Sequence, residues 1–208
     1  MTVYRDSDGR TLAEYPRPSV AVDTAVLTVA DGALAVALVR SAEGMRLPGT
    51  FLHEREVLDD AVRRSLRDKA GIEGLRPEQL RVFDRLGRDD RGRVLSVAHL
   101  DVVPLERLRG AEVELRPVAE ATGLLFDHDE IVRIATARVR RRYREHPDPD
   151  ALLQDEFTLR ELQRLHEVVA GAPLPKDSFR RGMEPLLQFT GRMSSGGMGK
   201  PARLWRHE

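Results

Sequence analysis

Residues 47–72, LPGTFLHEREVLDDAVRRSLRDKAGI, set carboxylates, guanidiniums and an amine at close intervals, and the chemistry open to them depends on which groups share a face. Leu58, Val62 and Leu66 recur at four-residue spacing, Asp59 and Asp60 stand near the start, and Gly71 falls where a helix should stop. The segment is therefore expected to be a helix packed on one side. Side chains 65 and 69 then lie on one surface, where two carboxylates could chelate a divalent cation. The residues present are Ser65 and Lys69, a hydroxyl and an ammonium. Neither is a hard anionic ligand for Mg²⁺ and the ammonium adds a positive charge, so Asp68 with Glu56 alone makes a poor catalytic metal site. Glu54, Asp59, Asp60 or Glu120 could take part only after rearrangement, because metal chemistry requires ordered oxygen ligands and a placed base.

Other chemistries are excluded by composition. The 208 residues include no cysteine, which removes thiol nucleophiles, redox pairs and Cys-based zinc sites. The six histidines, at 53, 99, 128, 146, 166 and 207, form no short ligand spacing. No catalytic residue, metal or cofactor is expected. The 34 basic and 34 acidic side chains balance overall but not locally: residues 1–130 hold 19 basic against 24 acidic, net −5, and residues 131–208 hold 15 against 10, net +5. A polyanionic partner belongs with the second part. No run approaches the roughly 18 apolar residues of a membrane span, and no apolar run follows Met1, so a cytoplasmic protein is expected.

The elements that must position these groups follow from periodicity. AVDTAVLTV and ALAVALVR flank Asp31-Gly32 and predict a strand pair with a tight turn. LRVFDRLGRDDRGRVLSVAHLDVVP predicts a second extended pair about a polar turn at Asp90 to Gly92. Asp127 is a possible cap for a helix carrying Ile131, Ile134 and Val139, and its Arg138, Arg140, Arg141, Arg142 and Arg144 form either a polar face or a contact to flanking phosphates. The polar HPDPDA segment marks a boundary, giving domains 1–150 and 151–208. Thr158 and Glu161 have capping-box spacing at the head of a helix. A second helix from about Lys176 to Leu186 directs Phe179, Met183 and Leu186 inward, and two short extended runs surround a glycine-rich tip. Trp205 and Phe189 are expected to pack this wing rather than stack on bases. Lys176, Ser178, Arg180 and Arg181 on the helix and Arg192, Ser194, Ser195, Lys200 and Arg203 around the tip can contact DNA.

Residues 47–72 also resemble a Nudix box, the loop-helix-loop that binds metal and diphosphate compounds in Nudix hydrolases. Glu56, Arg64, Leu66, Gly71 and Ile72 match that pattern, and Asp68 stands for one of its glutamates. Thr50, beside Gly49, replaces its first glycine, and Ser65 and Lys69 replace two more glutamates. Together with GRDDRGRVLSVAHL (87–100), FDHDEI (126–131), FTLRELQRLHEVVAG (157–171) and FRRGMEPLLQFTGRMSSGGMGKPARLWR (179–206), the chain is similar to Nudix-related transcriptional regulators, including repressors of NAD metabolism genes. The resemblance implies a Nudix-like α/β/α sandwich with a mixed sheet followed by a winged helix. It further implies a homodimer on double-stranded operator DNA and an effector such as ADP-ribose or a related phosphorylated sugar. By the same resemblance Glu56 and Arg64 form a structural ion pair; Lys69, where the pattern has a glutamate, is expected instead to offer its charge to a ligand phosphate. Arg40, Arg88 and Arg91 are further phosphate candidates by placement. The rival expectation is an active hydrolase of nucleoside diphosphate compounds, using Mg or Mn.

Overall fold

In a computed structural model that describes residues 4–194 and 201–207, β1 (Ser19–Ala30) and β2 (Ala33–Arg40) form the expected antiparallel pair. Asp31 (φ 49°) and Gly32 (φ 75°) both take positive φ, which lets a two-residue turn follow the twist of its strands. β3 (Met45–Arg46), β4 (Gly49–Phe51), α1 (Leu58–Ala70), β5 (Glu78–Phe83), β6 (Val94–Val102), β7 (Glu114–Pro117) and α2 (His128–Glu145) follow. β1 is central to a mixed sheet: it runs antiparallel to β2 and β4 but parallel to β6, with Val22 opposite Val97, and β5 closes that side.

Strand alternation then sorts the side chains into two layers. Val22 and Val26, with Ala37 and Val39, pack on Ala61, Val62, Leu66 and Ala70 of α1. Ala25 and Leu27, with Leu34, Val36 and Leu38, pack on Ile131, Val132, Ala135 and Val139 of α2. The result is the helix–sheet–helix sandwich expected of the fold class. α1 stops where its glycine stands: Gly71 (φ 64°) is left-handed, its N–H reaches the Arg67 carbonyl, and the Ile72 N–H reaches Leu66.

β8 (Phe157–Thr158), α3 (Leu159–Ala170), α4 (Lys176–Met183), β9 (Leu187–Met193) and β10 (Arg203–His207) form the winged helix-turn-helix. Thr158 and Glu161 make the capping box in full. Phe157, Leu162, Phe179, Met183 and Trp205 supply its core, and Phe189 lies 5.7 Å from the Trp205 ring. Leu186 does not turn inward. It sits in a short 3₁₀ turn after α4 and is exposed, because the helix ends before Pro185.

The arginines of α2 hold the molecule together more than they face solvent. Arg138 donates to the carbonyls of Gln79 and Leu80, Arg140 to that of Val169, and Arg142 to Glu78 and Asp150. Arg141 and Arg144 remain exposed. Beyond α2, buried Asp148 accepts from the Tyr143 hydroxyl and from the Leu152 and Leu153 N–H groups, which fixes the turn toward β8. Among the described residues no helix is long and apolar enough to cross a membrane.

Asp150 makes this junction sensitive to pH. Burial pushes its carboxyl up to about 6, aided by Asp148 and only partly opposed by Arg142. A carboxyl raised in the folded state contributes stability that is complete below the unfolded value of about 4 and lost as pH rises through the folded one. The wild type should therefore lose stability relative to Asp150→Asn between about pH 4.5 and 7. Urea titrations of both proteins across that range check this, and parallel pH profiles would contradict it.

Candidate functional site

Where β1, β4, the loop before β6 and the head of α2 converge, the fold leaves a pocket of about 180 Å³ lined by Asp23, Arg46, Phe51, Lys69, Arg88, Asp89, Arg91, Phe126 and His128, among others. Its floor is a buried charge network. Arg88 grips Asp127 through two hydrogen bonds of 2.9 and 2.6 Å and lies 3.7 Å from Asp23, and the Arg88 and Asp127 side chains are each only 3% exposed. Asp23 also accepts from the Ser96 hydroxyl at 2.5 Å and lies 3.3 Å from His128 Nε2. His128 Nδ1 accepts from the Leu47 N–H, so the ring's proton belongs on Nε2, toward Asp23. Burial works to raise the Asp23 carboxyl, but His128, Ser96 and Arg88 outweigh it and hold the group below the usual carboxylate range.

The rim is cationic and aromatic. Arg91 binds Asp89 at 2.8 and 2.7 Å, and its guanidinium lies over both the Phe51 ring (5.1 Å) and the Phe126 ring (5.2 Å). Four cationic side chains, Arg46, Lys69, Arg88 and Arg91, line the pocket with two carboxylates, Asp23 and Asp89. An excess of cations beside aromatic faces suits a phosphate joined to a flat or sugar moiety.

The box residues divide between this pocket and the scaffold. Gly49, Thr50 and Lys69 line the pocket. Glu56 and Arg64 form their pair, with two contacts of 2.8 Å, and Arg64 also donates to the Thr50 hydroxyl and the Phe51 carbonyl, tying β4 to α1. Arg64 and the His53 N–H hold the Glu56 carboxyl down at about 2. Ser65 is buried and its hydroxyl finds no partner among the described residues, while Asp68 is exposed beside Arg67. The donors of a divalent cation are thus spent, buried or replaced, and no cluster of three or more ligating side chains suited to a metal occurs among the described residues. The residues present do not fit the metal of the Nudix hydrolases.

Arg40 is not brought to the pocket: it is exposed at the end of β2 and pairs with Glu114. Arg88 is no surface arginine but the buried centre of the network. Sequence reasoning missed Asp23, Asp89, His128, Phe51 and Phe126. Asp127 caps no helix N–H with its side chain and is bound to Arg88 instead.

Gly49 shows how tightly the floor is built. A Cβ at this position would collide with Asp23 Oδ1 and press on the Val22 carbonyl. Gly49→Ala should cost about 2 kcal/mol, within the range of overpacked core sites, and blunt ligand binding. Thermal unfolding checks this, and a melting point equal to wild type would contradict it.

In the winged helix, Lys176, Ser178, Arg180 and Arg181 all lie exposed along α4. Arg180 pairs with Glu184 at 2.5 Å, and Arg181 reaches back to the Asp177 carbonyl. In the wing, Arg192 pairs with Glu156, Arg203 lies over the Phe189 ring, and Ser194 closes the strands by accepting from the Ala202 N–H. Ser195 and Lys200 lie outside the described residues.

The comparisons follow the same division. Residues 150–207 match the NrtR DNA-binding winged helix domain. The crystal structure of Shewanella oneidensis NrtR complexed with a 27mer DNA is similar over 91% of this chain and 93% of its own, at 30% identity and a TM-score of 0.73. The chain belongs to the NrtR family of Nudix-related transcriptional regulators. The ADPR responsive transcriptional repressor NtrR of Acinetobacter baylyi is 29% identical over 210 residues, covering 93% of this chain and 84% of that protein. A MutT/nudix family protein from Enterococcus faecalis shares the fold over 97% of this chain and 90% of its own, with a TM-score of 0.72 at 23% identity. Membership of the NrtR family accounts for a Nudix sandwich whose box keeps its architectural pair while its ligating positions hold Ser65 and Lys69.

Proposed function

We propose that this chain is a metabolite-responsive repressor: a homodimer whose winged helix binds double-stranded operator DNA and whose Nudix-like domain senses ADP-ribose or a related phosphorylated sugar without cleaving it. The observation that carries this reading is the likeness, along nearly the whole chain, to an NrtR structure complexed with DNA. The Acinetobacter relative responds to ADPR, and the cationic pocket offers matching chemistry. Residues 1–150 act as the sensor and residues 151–208 as the DNA-binding domain, in the cytoplasm.

In the sensor, Lys69 and Arg91 bind phosphate, and Arg88 sets the floor beneath them. Arg91 swings from between Phe51 and Phe126 when a ligand enters. In the second domain α4 enters the major groove through Lys176, Ser178, Arg180 and Arg181, and the wing follows the backbone through Arg192, Ser194, Ser195, Lys200 and Arg203. The effector favours a dimer geometry in which both recognition helices no longer reach successive grooves. Incubation with ADP-ribose and Mg²⁺ or Mn²⁺ should give saturable binding without release of AMP. Turnover that disappears in Glu56→Gln would establish the hydrolase instead.

A further inference from the structure

Two of the four cations that line the sensor pocket are already committed to carboxylates. Arg88 is bound to Asp127 and lies beside Asp23, and Arg91 is bound to Asp89. The carboxylates of the lining are used in the same contacts, and Asp23 also meets Ser96 and His128. Lys69 and Arg46 are left: neither forms an ion pair among the described residues, and Arg46 Nε has no hydrogen-bond partner there. Exposed Glu43 is held below the usual carboxylate range first by the Ser41 side chain and its own backbone, with smaller help from Arg46 and Arg91, and pairs with neither among the described residues. The sheet brings Arg46 to this place. It stands opposite Val39 in the β2–β3 pair, and Val39 packs with Ala61, Val62 and Leu66, so Arg46 lies on the face covered by α1, the helix that carries Lys69. No carboxylate of the box joins them among the described lining residues, since Glu56 is committed to Arg64 and Asp68 is exposed beside Arg67. A Mg²⁺ ion that bridges a ligand phosphate to a protein needs such a carboxylate as its anchor, whereas two cations without counter-ions need only the phosphate.

We propose that Arg46 is a further effector-binding residue, and that Arg46 and Lys69 together supply the positive charge that a divalent ion supplies in Nudix hydrolases, so that the effector's phosphates bind this protein with no metal between them. Arg46 offers a fork of N–H donors to phosphate oxygens, and Lys69 a compact charge. Neither has to leave a carboxylate first, whereas Arg91 must give up Asp89. This role rests on the reading of the pocket as a sensor of ADP-ribose or a related phosphorylated sugar, and adds to it a residue and a condition, binding in the absence of metal.

The test titrates the full chain by calorimetry with ADP-ribose and, separately, with inorganic pyrophosphate, each in EDTA and in excess Mg²⁺. ADP-ribose should bind in EDTA with a Kd within about 3-fold of that in Mg²⁺, because no carboxylate anchors the ion. Arg46→Met and Lys69→Met should each weaken binding in EDTA by at least about 10-fold, the low end for a hydrogen bond to a charged group. Arg46→Lys, which keeps the charge, should recover part of that loss. Melting points of the three variants should stay within about 2 °C of wild type, since no ion pair is broken. A Kd in EDTA weaker by more than that margin, or binding of either probe undiminished by Arg46→Met, overturns the proposal while ADP-ribose remains the effector. A fall in melting point that accompanies the loss in Arg46→Met assigns Arg46 to the scaffold and overturns its role. Pyrophosphate that binds in EDTA and is weakened by Arg46→Met, where ADP-ribose does not bind at all, overturns the effector and leaves the cation pair standing. Failure of both probes in both buffers overturns the two together.

Discussion

Arg88→Met should cost about 3–5 kcal/mol of stability, the penalty for stripping a buried charge of its partner. The substitution removes the guanidinium that grips Asp127 and leaves two buried carboxylates, Asp127 and Asp23, beneath the pocket. Burial alone would lower the Arg88 guanidinium, yet Asp127 and Asp23 raise it above its ordinary value, so the arginine is charged and committed to the network. At roughly 2–4 °C per kcal/mol for a chain of this size, the melting point should fall by about 10 °C. Adding Asp127→Asn should recover part of that loss, because it removes one of the stranded charges. Urea titration of the two variants checks both statements. A loss below 1 kcal/mol for Arg88→Met would contradict the network as described.

Arg180→Ala combined with Arg181→Ala should weaken operator binding by about 100-fold, since each contact to phosphate or base edge is worth about 1–3 kcal/mol. Both side chains are exposed on α4 and neither belongs to the core of Phe157, Leu162, Phe179, Met183 and Trp205, so the fold should persist. If both contact phosphate, the slope of log affinity against log salt should also fall by about 2. Fluorescence anisotropy at several salt concentrations measures the two effects together. Unchanged affinity would remove α4 from the interface.

Much of the fold was legible because local chemistry and tertiary structure agree. Asp31-Gly32 makes the turn it predicts, Gly71 ends α1 in a left-handed cap, and Thr158 with Glu161 starts α3. Leu186 fails because periodicity extends through Pro185 while the backbone cannot. The pocket was less legible. Its floor joins Asp23 of β1 to Arg88 and to Asp127 and His128 at the head of α2, residues with no shared periodicity. One signal was available: Asp23 is a lone acid inside the apolar run AVDTAVLTV, and a carboxylate in a central strand requires a partner. The altered box carried more information, since Ser65 and Lys69 are visible in sequence and the structure finds the remaining carboxylates of the box committed elsewhere.

The central claim is that binding of a metabolite, without its cleavage, releases DNA. Fluorescently labelled DNA from upstream of the adjoining operon, bound by the full chain, should lose anisotropy as ADP-ribose is added, with ADP-ribose recovered intact. An operator complex indifferent to saturating ADP-ribose, or release that tracks the appearance of AMP, would contradict the account.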